Sequence, residues 1–129
     1  MMSATFSKTE RLCSHLLIDE LFASGSAFMV FPYSVRYLVH DADRLPSPAQ
    51  VLVGVSKRRF HHAVDRNRVK RLTRECYRQR KAILYEALQQ HGKTMTFSLN
   101  YVGNTIMDHA HLSRRMDKVV ETLVAKIQN

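Results

Sequence analysis

Residues 51–81 read VLVGVSKRRFHHAVDRNRVKRLTRECYRQRK and contain the pattern that decides the fold. The first six residues are short, apolar and rich in β-branched side chains, which is typical of a strand. The rest predicts a loop and then a helix from about Asp65 to about Gln90, because apolar residues recur there at helical spacing. That apolar stripe consists of Val69, Leu72, Cys76, Ile83 and Ala87.

The net charge of the chain is concentrated in the same region. Residues 57–81 carry eleven Lys and Arg side chains against only Asp65 and Glu75, whereas basic and acidic side chains balance in the rest of the chain. The whole formal charge of +9 therefore belongs to one segment. Clustered like charges repel each other, so a field of one sign favours a polyanionic partner.

The basic face of a helix is usually just exposed to solvent. The start of this predicted helix does not fit that common case. If Asp65 is the N-cap, Arg66 and Arg68 occupy the first turn, where the helix dipole disfavours each cation by about 0.3 to 1 kcal/mol. A bound phosphate reverses that sign, because free backbone N–H groups and arginine side chains then converge on one anion.

The spacing of the basic residues also favours a nucleic acid. Opposite the apolar stripe lie Lys70, Arg71, Arg74, Arg78 and Lys81. The row Arg66, Lys70, Arg74 and Arg78 repeats every four residues, about 6 Å of helix rise, and can contact a sugar-phosphate chain repeatedly. Only Glu75 is available on the helix for pairing one turn away. The sequence therefore predicts that this face binds nucleic acid.

Length and composition indicate one domain, residues 1–129, with 45% hydrophobic side chains. Cys13 and Cys76 are far apart and form no CxxC pair, so we expect two buried, reduced thiols rather than a disulfide or a zinc site. No apolar run approaches the roughly 18 to 20 residues that span a bilayer, and residues 1–11 lack the apolar centre of a signal peptide. We expect a cytoplasmic protein without membrane contact.

Two helix starts compete near the N-terminus. Ser7 and Glu10 have the spacing of a capping box, and Ser14 is an alternative N-cap, with Gly25 as a stop for either. We favour Ser14. Near the other end, Asp108 is a candidate N-cap for a helix whose apolar residues follow helical spacing. These are Leu112, Met116, Val119, Val120, Leu123 and Ile127.

Three strands are predicted besides these helices. Residues 28–39 form the first long strand, in which Tyr33, Val35, Tyr37 and Val39 share one face. The polar linker 40–50 leads to residues 51–56, which we expect to pair antiparallel with the first strand. Alternation predicts a further strand over 94–101. The order helix, strands, long helix, strand, helix suggests a sheet covered on one side by helices.

The basic helix carries a resemblance to a known family. Residues 66–75, RNRVKRLTRE, preceded by Gly54-Val55-Ser56-Lys57, resemble the signature of the bacterial ribonuclease P protein subunit. Weaker agreement extends from Arg11-Leu12 through Leu21-Phe22 to Gly25, and includes the strand near 35–39 and the last strand and helix. Together these matches span nearly the whole chain.

The resemblance implies a small α/β domain, an α+β sandwich in which a mixed sheet packs on helices in the order α-β-β-(β)-α-β-α, with a left-handed βαβ crossover. It implies that the RNA subunit, with Mg²⁺, hydrolyses precursor tRNA at the 5′ end of the mature sequence. By the same resemblance, the protein is expected to have no catalytic residue or metal ligand of its own and to bind the RNA subunit and the single-stranded 5′ leader. Self-association is left open.

Two groups of residues follow from the resemblance by position. The RNA-binding residues would be Lys57, Arg58, Arg66, Asn67, Arg68, Lys70, Arg71, Arg74 and Arg78. A cleft between the N-terminal helix and the sheet would hold the leader, lined by Ile18, Phe22, Ala63 and one residue of the first long strand. Tyr37 is the candidate there, with Arg36 as the alternative if the register is shifted by one. Aromatic faces suit single strands because stacking tolerates any base.

The chain departs from the common family pattern in two places. Residues 58–65, RRFHHAVD, stand where a shorter turn containing Gly and Asn is more usual, and Leu99-Asn100-Tyr101 stands where many members have a basic residue. One RNA contact is therefore expected to be missing or replaced. The adjacent His61 and His62 lie in a basic loop, which favours RNA contact or exposure over metal binding.

Three other classes of function compete with this interpretation. A structural ribosomal protein that binds ribosomal RNA could use the same basic helix. A self-sufficient nuclease would need a carboxylate or histidine cluster, and none is evident among Asp41, Asp43, Asp65, Glu75 and Asp108. A DNA-binding helix-turn-helix is disfavoured, because a strand and a loop precede the basic helix.

Overall fold

The computed structural model describes residues 6–127. After a 3₁₀ turn at Lys8–Glu10, the elements are α1 (His15–Ser24), β1 (Ser26–Val30), β2 (Tyr33–Asp41), β3 (Ala49–Val55), α2 (Ala63–Arg78), α3 (Lys81–His91), β4 (Lys93–Tyr101) and α4 (His109–Ile127). One mixed four-stranded sheet packs with helices, so the predicted fold class is confirmed. No helix within 6–127 is long and apolar enough to cross a membrane.

The strands are arranged in the order β1-β2-β4-β3, with β3 parallel to β4 and the other neighbours antiparallel. The predicted antiparallel pairing of 28–39 with 51–56 is wrong, because β4 lies between β2 and β3 and hydrogen bonds to both. The parallel pair β3 and β4 is joined through α2 and α3, which is a βαβ unit. Its left-handed crossover stays a prediction.

The first long strand of the prediction is two strands. β1 and β2 form a hairpin in which Val30 faces Tyr33 across the turn at Phe31 and Pro32, whose peptide bond is cis. Proline has no backbone N–H to donate to a ladder, so it interrupts the run at that point. The strand in parentheses in the predicted order α-β-β-(β)-α-β-α is therefore present, because three strands precede α2.

The helix predicted over 65–90 is also two elements, since α2 ends at Arg78 and α3 begins at Lys81. His62, not Asp65, occupies the N-cap position of α2. The break changes the phase of the residues beyond it. Ile83, predicted in the apolar stripe, is 61% exposed, and Lys81, predicted to face outward, is 1% exposed.

An ion pair explains the burial of Lys81. Its Nζ lies 2.6 Å from Oε2 of Glu10, and the Tyr85 hydroxyl donates to the same oxygen at 3.0 Å. The second carboxylate oxygen of Glu10 accepts from the Ser7 hydroxyl at 3.1 Å. A buried charge needs such partners, so the N-terminal turn and the start of α3 are fixed together.

The main core lies between one face of the sheet and the helices α2, α3 and α4. Tyr33 and Val35 of β2 face it, and Tyr37 and Val39 continue along the same side, as predicted. All six apolar residues predicted for the last helix are buried. Its N-cap is confirmed, because the Asp108 carboxylate accepts from the His111 amide at 2.8 Å.

The opposite face of the sheet is partly covered by α1, so the prediction that helices cover one side only is wrong. Ser14 caps α1 by accepting from the Leu17 amide at 3.3 Å, and Gly25 ends the helix, both as predicted. His40 of β2 lies 3.6 Å from the Glu20 carboxylate of α1. Cys76 is buried as expected, but Cys13 is exposed.

Candidate nucleic-acid interface

Helix α2 has one buried side and one cationic side at the surface. Val69, Thr73, Cys76 and Tyr77 are buried on one side. The cations and the amide on the rest of its surface are exposed or half-buried: Asn67, Arg68, Lys70, Arg71, Arg74 and Arg78. The helical pattern read from the sequence therefore places these predicted RNA-binding side chains at the surface, as an amphipathic helix requires.

Most of these cations have no acidic partner. Within residues 6–127 no salt bridge involves Arg68, Lys70, Arg71 or Arg74. Arg78 differs, because its guanidinium pairs with the Glu75 carboxylate at 2.5 Å and 3.0 Å. That pairing lowers the pKa of Glu75 and raises that of Arg78. The face retains a large positive charge that its own helix does not neutralise.

Arg66 differs from the other cations of α2 in the position of its charged end. Its Nη1 donates to the backbone carbonyls of Phe60 at 2.8 Å and His61 at 2.9 Å, so the side chain turns back onto the preceding loop. The predicted row Arg66, Lys70, Arg74 and Arg78 therefore differs at its first member, whose charged end lies against the loop. A guanidinium has five N–H donors, and its contact with neutral carbonyls leaves its charge in place.

Arg11 is a cation close to α2 that the helical pattern does not reveal. Burial lowers the pKa of the Arg74 guanidinium, and the positive charge of Arg11 lowers it further. Arg11 reaches this position because the chain beside it bridges to Val51 of β3, parallel to the strand. No local pattern reveals that contact, since 63 residues separate the two arginines.

The turn between β3 and α2 presents three further cations. The Ser56 hydroxyl accepts from the Arg58 amide at 3.1 Å, and the Ser56 carbonyl accepts from the amides of Arg59 and Phe60. Phe60 is buried and its ring centre lies 6.0 Å from that of Tyr101. Anchored at both ends in this way, the turn holds Lys57, Arg58 and Arg59 exposed.

A cleft of about 360 Å³ lies on the α1 side of the sheet. Its lining residues are Phe22, Ala27, Ser34, Arg36, Leu52, Gly54, Ser98, Leu99 and Asn100. The guanidinium carbon of Arg36 is 5.8 Å from the centre of the Phe22 ring, and its Nη1 donates to the Gly25 carbonyl at 3.2 Å. An exposed aromatic ring beside a cation suits a single-stranded nucleic acid.

Only some of the five residues predicted for the leader cleft line this cleft in the structure. Phe22 and Arg36 line the cleft. Tyr37 is a wrong prediction, because alternation along β2 points it to the other face, where its ring packs 5.9 Å from that of Phe28. Ile18 and Ala63 are not among the residues that line it. The register alternative, Arg36, is therefore the strand residue at this position.

Residues 6–127 bring together no three His, Cys, Asp or Glu side chains able to hold a metal ion. His61 and His62 are exposed at the end of the loop before α2. The chemistry that the surface offers is therefore cationic and aromatic.

The fold and this surface define a class: a small α+β protein with a cationic helix packed on one face of its sheet and an open cleft on the other, suited to binding an RNA strand. The chain matches the family model described as Ribonuclease P over residues 6–123. It is 40% identical over 117 residues to the ribonuclease P protein component of Porphyromonas gingivalis, covering 89% of this chain and 85% of that protein. The chain belongs to the ribonuclease P protein family.

Further relatives agree with this assignment. A ribonuclease P protein component from Chlorobaculum tepidum is 43% identical over 75 residues, 55% of this chain and 47% of that protein. The solved RNase P protein of Staphylococcus aureus shares the fold, with a TM-score of 0.67 and 18% identity over 95% of this chain and all of that one. That of Thermotoga maritima has a TM-score of 0.67 and 16% identity, covering 88% and 96%. This chain is the protein component of a tRNA-processing ribonucleoprotein.

Proposed function

We propose that this protein binds the RNA subunit of ribonuclease P through the basic face of α2 and holds the 5′ leader of precursor tRNA in the cleft beside α1. The observation that carries the proposal is the charge of α2, where Arg68, Lys70, Arg71 and Arg74 have no acidic partner within residues 6–127. Phosphates supply the missing anions, and arginine forks bind them with two parallel hydrogen bonds.

The cleft supports the second half of the proposal. Phe22 is 52% exposed, so its ring is accessible for a base to stack on. Arg36 beside it offers a cation for a phosphate or for the edge of a base. Stacking on the Phe22 ring tolerates any base, as a protein that handles many precursor tRNAs requires.

We further propose that the RNA subunit performs the hydrolysis and that Mg²⁺ is bound by RNA. The cationic character of the surface supports this division, and within residues 6–127 no three His, Cys, Asp or Glu side chains come together in a group that could hold a metal ion. The protein then contributes binding and orientation, which lower the barrier by positioning the substrate. A cytoplasmic location stays a prediction.

Cleavage of precursor tRNA by the RNA subunit at low Mg²⁺, with and without this protein, tests the proposal. We expect the protein to restore cleavage, and the protein alone to leave the substrate intact. A structural ribosomal RNA-binding protein would give no restoration, and family membership does not support that alternative. Cleavage by the purified protein without RNA would contradict the proposed division of labour.

The leader cleft is tested separately with Phe22→Ala. Loss of the ring should remove about 1 to 3 kcal/mol of affinity for a substrate with a leader and leave a leaderless substrate unaffected. Leu16→Ala is the matched control, because Leu16 is a large exposed apolar residue on the same helix and does not line the cleft. Equal losses in both variants would contradict the assignment of the cleft.

A further inference from the structure

A second hollow of about 450 Å³ continues the cleft beyond its far end. Asn100 lines both. Along β3, Leu52 and Gly54 line the cleft, and Ser56, two residues on, lines the hollow. Because β3 and β4 are parallel, both strands lead in the same direction to this end of the sheet. The two cavities adjoin at Asn100, and the groove that they make together covers about 13 Å along the strands, from Leu52 to Ser56.

Two arginines and an asparagine form the end of this groove. The hollow is lined by Ser56, Arg58, Arg59, Asn100, Val102 and Asn104. Nη1 of Arg59 donates to Oδ1 of Asn104 at 2.9 Å, across 45 residues of sequence. None of the residues that line the cleft or the hollow is acidic. The contact with a neutral amide orients the guanidinium and leaves its charge and remaining N–H donors available to a ligand.

The loop that carries Asn104 is itself held in place. The Val102 amide donates to the Pro32 carbonyl at 2.7 Å. The Tyr101 hydroxyl donates to the Thr105 carbonyl at 2.7 Å and accepts from the Met107 amide at 3.1 Å. Asn104 therefore sits in an anchored segment, and the Arg59 side chain is positioned between two fixed pieces of backbone, the turn after β3 and the loop after β4.

We propose that Arg59, oriented by Asn104, binds a phosphate of the leader strand where that strand leaves the cleft. The inference rests on the proposed function of the cleft and extends it: the leader runs along β3 and β4 from Phe22 towards Arg59. Arg59 is a residue of the atypical loop 58–65, and this role gives that loop a function. The partner is RNA, because a cationic end joined to an aromatic cleft suits a single strand of nucleotides.

Precursor tRNAs with a series of leader lengths, bound to the reconstituted ribonucleoprotein, test this proposal. With the unsubstituted protein, affinity should rise with leader length to a plateau. Arg59→Ala should leave the affinity for substrates with short leaders unchanged. Its affinity should reach a plateau at a shorter leader length, and the affinity for the longest leader should fall about tenfold. The slope of log affinity against log salt should fall by about 0.7 for that leader alone.

Three further variants complete the experiment. Asn104→Ala keeps the Arg59 cation but removes the contact that orients it. It should give a smaller loss of affinity than Arg59→Ala over the same range of leader lengths. Arg115→Ala removes one exposed cation from α4, on the other side of the sheet, and should change nothing. Phe22→Ala should lower affinity for short and long leaders alike.

The outcomes separate the two claims. An unchanged length profile in Arg59→Ala, with a clear loss in Phe22→Ala, overturns the phosphate site and leaves the cleft standing. An equal loss at every length in Arg59→Ala also overturns it, because the arginine then acts on another part of the RNA. Affinity that is independent of the leader in the unsubstituted protein overturns the proposed function of the cleft itself.

Discussion

Nη1 of Arg66 lies 2.8 Å from the carbonyl oxygen of Phe60. The same nitrogen donates to the carbonyl of His61, so one guanidinium closes the loop between β3 and α2. Because Phe60 is buried against Tyr101, this contact ties the loop to the core. Arg66 is thus a cation that the fold uses in the absence of RNA, unlike Arg68, Arg71 and Arg74, which form no salt bridge within residues 6–127.

This difference predicts unequal effects of two similar substitutions. Arg66→Ala should lower the free energy of unfolding by about 1 to 2 kcal/mol and also weaken RNA binding, because two carbonyls lose their donor. Arg68→Ala should weaken RNA binding with a change in stability within about 0.5 kcal/mol, since its side chain is exposed. Urea unfolding followed by circular dichroism measures both. Equal stability of the two variants would show that the Arg66 contacts contribute nothing.

Gly54 lines the cleft, so a larger residue at this position should block it. A Cβ added there would lie 3.4 Å from Oδ1 of Asn100, an ordinary contact with an exposed side chain. Gly54→Ala, which adds one methyl group, should therefore fold normally and lose part of the leader-dependent affinity. The larger Gly54→Val, whose fold is checked by circular dichroism, should lose most of it. Binding of substrates with and without a leader measures this. Unchanged leader binding in Gly54→Val would place the leader elsewhere.

The pair between Glu10 and Lys81 predicts a large effect on stability. Lys81→Met leaves a buried carboxylate without its cation and should cost about 3 to 5 kcal/mol. The double variant Glu10→Leu with Lys81→Met removes both charges and should recover much of that loss. Chemical unfolding of both single variants and the double variant gives the coupling energy. Additive losses would show that the two side chains do not interact.

His40 predicts a pH dependence of stability. Burial lowers the pKa of its imidazole below the ordinary 6.5, and the charge of Arg44 acts in the same direction, while Glu20 and Asp41 oppose the shift. The unfolded chain therefore binds this proton more readily than the folded one. Stability should fall as the pH decreases below about 6.5, until the folded imidazole is also protonated.

His40→Asn is the test of that dependence. Unfolding free energies of both proteins, measured across this pH range, should differ by an amount that changes with pH, on top of a constant loss of the 3.0 Å hydrogen bond to Thr96. Parallel curves for the two proteins would assign the acid sensitivity to other groups.

Local pattern was sufficient for much of the fold. The amphipathic face of α2, the apolar stripe of α4 and the caps Ser14 and Asp108 depend on neighbours within one or two helical turns, and the sequence displays them directly. The same holds for alternation along β2. That alternation already assigns Tyr37 to the core side together with Val35, so the sequence contained the evidence against Tyr37 as a cleft residue.

Contacts between distant segments were not predictable in this way. The break between α2 and α3 brings Lys81 into contact with Glu10, 71 residues away, and no local pattern marks that contact. The position of β4 between β2 and β3 depends on the return of the chain through two helices. The pair of Arg59 with Asn104 likewise joins two loops that only the folded sheet brings together. These features depend on tertiary packing, which overrides local propensity.

The most direct test of the account is the salt dependence of binding between this protein and the RNA subunit of ribonuclease P. If the cations of α2 bind phosphates, log affinity should fall linearly and steeply with log salt, and each of Arg68→Ala, Lys70→Ala and Arg71→Ala should reduce the slope by about 0.7 to 0.9. A flat salt response, or slopes that these substitutions leave unchanged, would contradict the claim that this face of α2 binds RNA.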